Sequence, residues 1–171
     1  MEAMEAILSR RSIRRYTDQA VGEEVMERLL RAGMAAPSAN NEQPWHFVVI
    51  RERGILAAVC EFHPNAQMLK GAPAAICVCC DLSLEKMPGM GYWILDCAAA
   101  TENILLAGHA LGLGCCWLGI HPRPERKEGL RGLLNLPKKV EPFSLIALGY
   151  PAEQKGASER YRAERVHVNR W

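Results

Sequence analysis

The sequence predicts an α+β domain, and three observations carry that prediction. Amphipathic helical patterns and short apolar strand patterns both occur, but they do not alternate as they would in a doubly wound sheet. The stretch from about Gly91 to Leu111 reads as a helix that is apolar nearly all round, which needs enclosure on most sides. The 171 residues form one unit, 1–171, with no internal repeat, low-complexity tract or boundary. A chain of this length can bury most of a core by itself.

The elements follow in order. Met1, Met4, Ile7 and Leu8 recur at helical spacing and predict a short first helix ending near Arg10. "SIRRY" reads as extended and "TDQAVGEE" as a turn into the next helix. In that second helix Val25, Leu29 and Ala32, with Met26, Leu30 and Gly33 beside them, give an amphipathic pattern that Pro37 stops. "PSANNEQP" is a polar loop, and "WHFVVIR" has the β-branched and aromatic content of a strand. "GILAAVCEFH" is helical, and "AAICVCCD" is a buried strand by its length and continuous apolarity. After the long helix, "GLGCCWLGI" is a turn and strand. "RPERKEGLRGLLNLP" is a surface helix with Pro124 in its first turn and Pro137 at its end. "FSLIALGYP" is the last strand. The polar tail has Val166, Val168 and Trp171 as its only strong anchors.

Bulk properties exclude several classes. Apolar content of 49% and charged content of 23% rule against disorder. A net charge of +2, with Lys and Arg spread out, gives no reason to expect nucleic acid as a partner. Asp96, Thr101, Glu102, Asn103 and His109 interrupt the longest apolar stretch, so a buried helix is favoured over a membrane span. The start, "MEAMEAILSRR", has acids where a secretory leader needs a basic region. The seven cysteines lie mostly in apolar runs, at spacings that match neither zinc pairs nor a disulfide framework. No metal and a reducing cytoplasmic location are therefore expected.

Standard catalytic motifs are missing: no G-x-S-x-G, no H-E-x-x-H, no P-loop, and no G-x-G-x-x-G opening a helix. The glycines of "GLGCCWLG" follow a helix and precede a strand, the reverse of the dinucleotide arrangement. The five histidines are scattered and read as surface or hydrogen-bonded residues. Two features remain. The first is "SRRSIRRY", with Arg10, Arg11, Arg14 and Arg15 around a serine. Arginine offers a planar fork of donors suited to phosphate, and the serine hydroxyl adds another donor. If extended from Ser12, the chain would point Arg14 and Arg15 to opposite sides. Taken alone, the cluster is more often a solvated basic patch than a site. The second is "PSANNEQPWHF", where Ser38, Asn40, Asn41 and Gln43 supply more amides and hydroxyls than a simple turn needs. They can read the edge of a heterocycle or a ribityl chain, or merely satisfy the loop's own backbone.

"RRSIRRY", "APSANNEQPWHF", "LGLGCCWLGI" and "ALGYP…ERVHVNRW", in that order across essentially the whole chain, resemble the nitroreductase family of FMN-dependent oxidoreductases. The length resembles the family's short members. The resemblance implies an α+β nitroreductase-like fold with a central, mostly antiparallel sheet flanked by helices. It implies an intertwined homodimer, with FMN at the subunit interface. It carries the first motif onto Arg10, Arg11, Ser12 and Arg14, holding phosphate and ribityl, and leaves Arg15 solvated. It carries the second onto Pro37, Ser38, Ala39, Asn41 and Gln43, reaching the cofactor from the partner subunit. Asn65 then lies close to the flavin ring, Cys116, Trp117, Leu118 and Gly119 form the strand passing it, and Arg160 lies near the phosphate.

Cys115 and Cys116 depart from the family pattern and either tune the flavin or pack, packing being favoured. The chain also lacks the long insertions that cover the site in larger members. The implied function is transfer of hydride from NADH or NADPH through FMN to a small organic acceptor, by a ping-pong mechanism with no catalytic acid or base. Nitroaromatics, quinones and activated alkenes are the acceptor classes. The rival is a flavin carrier or sensor of the same fold without turnover.

Overall fold

The computed structural model describes every residue of the chain except Ala157. Helix α1 spans Ala3–Ser9 and α2 spans Glu23–Met34; β1 is Trp45–Ile50 and α3 is Arg53–Phe62. A 3-10 segment, Pro64–Lys70, leads into β2, Ala74–Asp81. Helix α4 is Tyr92–Ala110, β3 is Gly114–Gly119, α5 is Pro124–Leu133 and β4 is Val140–Gly149. The elements read from the sequence are all present, within a few residues. The Pro64–Lys70 segment carries no periodic pattern and is found only in the structure.

The four strands form one antiparallel sheet in the order β1-β2-β4-β3. Strand β2 is central and covered on both faces, so every residue from Ala74 to Cys80 is buried. That is why its sequence is a continuous apolar run and not an alternating one. Ile76, Val78 and Cys80 pack with α2 and α4 on one face; Ala75, Cys77 and Cys79 pack with α3, Leu69 and α5 on the other. Strand β4 starts earlier than its apolar run suggests, at Val140. Pro142 has no N–H to donate, and the register slips there: Val78 faces Ser144 while Cys79 faces Pro142, leaving Phe143 as the extra residue.

Helix α4 crosses the sheet, and its polar residues tie it to its neighbours. Asp96 accepts from the Ala39 amide at 2.9 Å, and Thr101 Oγ1 meets Ser144 Oγ at 2.9 Å. Glu102 pairs with Arg10 at 3.2 Å, and Asn103 donates to the Ala32 carbonyl, at the last turn of α2, at 3.0 Å. Each of these four interruptions is thus a contact with a different part of the chain.

One expectation is corrected within the single chain. Met1, Met4, Ile7 and Leu8 are each more than half exposed, as are Val166, Val168 and Trp171 of the tail, so the tail's apolar residues anchor nothing here. Enclosure of α4 is also incomplete. Cys97, Ala100, Ile104 and Leu105 are buried, but Leu95 is exposed and Ala98, Ala99 and Leu106 are half-buried. A tail with one short 3-10 turn has no repeating apolar face to lay against its own domain.

Where α4 passes over β3, glycine is required at 108: a Cβ there would lie 2.5 Å from Cys115 Sγ. Gly108→Ala is expected to destabilise the protein. Overpacking costs about 1–3 kcal/mol, and the gain in helix propensity offsets at most about 1 kcal/mol of it. In a Cys115→Ala background the same change is expected to be neutral or stabilising, and urea melts of the four proteins in this cycle check it.

Candidate functional site

Ser12 and Ile13 meet the outer edge of β3, the Ile13 amide donating to the Cys115 carbonyl at 3.0 Å, and Arg15 to Thr17 then pair with residues 150–152, just after β4. Successive side chains on a strand face opposite ways, and the adjacent cysteines divide accordingly. Cys115 packs beneath α4 and Cys116 turns to the other face. Burial pushes the Cys115 thiol up to about 12 and also raises that of Cys116, where Arg14 and Lys155 oppose the rise. Both are held as thiols, in keeping with a packing role.

Cys116, Trp117, Leu118 and Gly119 form one side of an open cleft of about 760 Å³. Arg14 and Arg15, with Glu153 and Lys155 from the segment after β4, form a second side. His63, just after α3, and Asn65 and Met68 of the 3-10 segment, with Arg126 from α5, complete it. The Trp117 side chain turns with Cys115 to the α4 face, edge-on to Phe143 with ring centres 5.8 Å apart.

The cleft is strongly cationic. Arg14, Arg15, Arg126 and Lys155 face a single carboxylate, Glu153. That carboxylate gathers the wall: Glu153 Oε1 accepts from the Arg14 amide at 2.5 Å, the Arg15 amide at 3.3 Å and Lys155 Nζ at 3.3 Å. These donors hold its pKa below the usual carboxylate value, the Arg14 amide most of all. Lys155 also donates to the Ser12 carbonyl at 2.7 Å. With both amides turned to one carboxylate, the chain is not regularly extended here, and Arg14 and Arg15 line the same cleft. Arg15 is exposed to solvent, as expected, and it also borders the open cleft.

At the other end the Gly119 carbonyl accepts from Arg126 at 2.7 Å and lies 3.1 Å from His63 Nε2. His63 is 1% exposed. Burial, and then the neighbouring Arg126, push its imidazole below the ordinary value of 6.5. The ring is therefore neutral, with Nε2–H donating to Gly119 and Nδ1 left without a partner.

Of the residues read from the sequence, Arg14, Asn65, Cys116, Trp117, Leu118 and Gly119 meet at this cleft. Arg10, Arg11 and Arg160 line a different recess of about 450 Å³, beside Leu8 and Tyr161. Arg11 is partly used there by the backbone, donating to the carbonyls of Leu8 and Gly156 at 3.0 Å each. Ser12 sits between the two recesses, its backbone engaged by Cys115 and Lys155. Pro37, Ser38, Ala39, Asn41 and Gln43 precede β1, at the opposite edge of the sheet from β3. Three strand spacings separate those edges, roughly 14 Å, so one chain does not bring the two motifs together. Lys155, Glu153, His63 and Arg126 had no motif to mark them. The nearest signal for Lys155 and Glu153 is two charges closely following the last strand.

The profile described as "Nitroreductase family" matches residues 7–150. A protein of Methanothermobacter thermautotrophicus named "Putative NADH dehydrogenase/NAD(P)H nitroreductase" is 50% identical over 171 residues, covering 100% of this chain and 88% of that protein. A crystal structure of the same name from Bacteroides thetaiotaomicron superposes with a TM-score of 0.93 at 38% identity, covering 99% and 98% of the two chains. A crystal structure of "a putative nitroreductase in complex with fmn" from Desulfovibrio desulfuricans gives 0.85 at 34% identity, covering 100% and 98%.

Neutral His63 links stability to pH. A native pKa held below the unfolded value makes the unfolded chain bind more protons, so this contribution is complete above about 6.5 and lost as pH falls through the native value. His109 and His121 are shifted the same way, both chiefly by burial. The melting temperature of wild type relative to His63→Gln is expected to fall between pH 7.5 and 5.5. Parallel curves for the two proteins would contradict a neutral buried His63.

Proposed function

The chain belongs to the nitroreductase family, and on that premise we propose that it is an FMN-dependent oxidoreductase using NADH or NADPH to reduce a small organic acceptor. The observation that carries this reading is the cleft along β3, which pairs an excess of positive charge with a largely apolar strand. FMN is a planar ring joined through a ribityl chain to a phosphate, and the donor set fits both ends. Arg14, Arg15 and Lys155 suit a dianionic phosphate. Cys116 and Leu118 offer an apolar edge to a ring, and Asn65 offers amide donors and acceptors to its polar atoms. A volume of about 760 Å³ falls within the usual range for cofactor sites.

When bound, FMN supplies the redox chemistry, taking hydride from the reduced nicotinamide and passing it to the acceptor in a second half-reaction. The protein binds, orients and neutralises. Arg14, with Arg15 and Lys155, balances the phosphate charge, while Arg10, Arg11 and Arg160 line the separate recess. Gly119, its carbonyl pinned by Arg126 and His63, fixes the strand end against which the ring is placed. No side chain is assigned as catalytic acid or base. The acceptor is a nitroaromatic, a quinone or an activated alkene.

The working unit is a homodimer with FMN at its interface. Two observations support this. The apolar residues of α1 and of the tail are exposed in one chain, and an intertwined partner would cover them. The loop bearing Pro37, Ser38, Ala39, Asn41 and Gln43 lies at the sheet edge away from its own cleft, where it is free to reach the partner's.

The purified protein is expected to be yellow and to bleach within seconds on anaerobic mixing with NADH or NADPH. A yellow protein that fails to bleach with either would leave the flavin-carrier reading in its place. Replacing both Arg14 and Lys155 with alanine is expected to raise the FMN dissociation constant by roughly 100-fold, since charged hydrogen bonds contribute about 1.5–3 kcal/mol each. Fluorescence titration of the apoprotein measures it, and unchanged affinity would move the phosphate elsewhere.

A further inference from the structure

The loop before β1 holds an unusual backbone. Asn40, Asn41 and Gln43 have φ of 50°, 53° and 49°, and none of them is glycine. The left-handed region is unfavourable for residues that carry a Cβ, and such conformations persist only where the surroundings over-determine them. Most of the restraints are internal. Ser38 Oγ accepts from the Gln43 amide at 3.0 Å, and Gln43 Nε2 donates to Asn41 Oδ1 at 2.6 Å. Asn40 Nδ2 donates to Glu42 Oε1 at 3.2 Å. These bonds fix the loop's shape but not its place on the protein.

Two side-chain contacts reach it from outside. Lys86 Nζ donates to the Asn40 carbonyl at 3.1 Å, but Lys86 is exposed, on an irregular segment, and holds weakly. The other is Asp96, whose Oδ1 accepts from the Ala39 amide at 2.9 Å. Asp96 is 3% exposed, in the second turn of α4, on a helix packed against all four strands. Its Oδ2 has no partner at all. A carboxyl group buried in this way is costly unless a specific bond requires it. The one bond it makes to another element is to the loop.

We propose that Asp96 is a positioning residue that fixes the loop Ser38–Gln43 on the end of α4 and so aims Ser38, Asn41 and Gln43 at the cofactor. The inference rests on the reading that this loop contacts FMN. Asp96 acts through the Ala39 amide and touches no reacting group. Asparagine at 96 keeps the acceptor oxygen in place, and alanine removes it.

The test uses the full-length protein with Asp96→Ala, Asp96→Asn and the loop variant Ser38→Ala/Asn41→Ala. Two quantities are read: hydrogen exchange at the Ala39 amide, and the FMN dissociation constant. In Asp96→Ala, Ala39 exchange and the dissociation constant are both expected to rise roughly tenfold or more, as loss of a charge-assisted bond implies. Asp96→Asn is expected to return both to within a few-fold of wild type. Should Asp96→Ala fail to fold, Asp96→Asn compared with the loop variant decides: the proposal predicts near-wild-type FMN affinity in the first and weakened affinity in the second. Unchanged Ala39 exchange in Asp96→Ala would overturn the proposal. So would unchanged FMN affinity in Asp96→Ala when the loop variant weakens it. If the loop variant also leaves FMN affinity unchanged, the failure belongs to the reading that the loop contacts FMN, and the proposal falls with it.

Discussion

The structure depends on one long helix whose residues Asp96, Thr101, Glu102 and Asn103 each hold a neighbouring part of the chain. Helix α4 lies against the sheet through Cys97, Ala100, Ile104 and Leu105, and that burial supplies its adhesion. Apolar packing alone would leave the helix free to slide or rotate by small amounts. The contacts from Asp96, Thr101, Glu102 and Asn103 remove that freedom. They lock α4 to the loop before β1, to β4, to the start of the chain and to α2. The two segments richest in chemistry, the arginine cluster and the asparagine loop, are therefore both referenced to the same rigid body.

Charge in the cleft follows a similar economy. Four cations face one carboxylate, and unopposed they would repel one another. Glu153 relieves that repulsion at the level of the backbone, accepting from the Arg14 and Arg15 amides while leaving their guanidinium groups free of it. A cationic wall arranged in this way presents its donors outward without spending them on each other. It is a surface prepared for an anion.

Much of this was legible in the sequence. The buried strand "AAICVCCD" and the long helix were readable because sheet coverage and helix enclosure impose local patterns. That Arg14, Asn65 and the "CCWLG" strand belong to one site was implied by the family resemblance and by no local pattern. What could not be read was set by tertiary geometry. Nothing local says that the Arg14 and Arg15 amides share one carboxylate from the far end of the chain, or that His63 is buried against the Gly119 carbonyl. Asp96 stood in the sequence only as an interruption, because a single acid in an apolar run does not say which amide it will meet. The apolar face of α1 was legible from its spacing but not as uncovered, since a periodic pattern identifies a face and not what lies against it.

The contact between Gly108 and Cys115 has a consequence at a distance. Cys115 is clamped under α4, and the pleat of β3 sends the next side chain, Cys116, to the other face, beside the cleft. The depth at which Cys116 sits is thus set from behind, by how closely a helix can approach a strand. A position that never meets a ligand becomes intolerant of change for the sake of one beside the cleft. Variation recorded at 108 and 115 would be tuning the height of that floor.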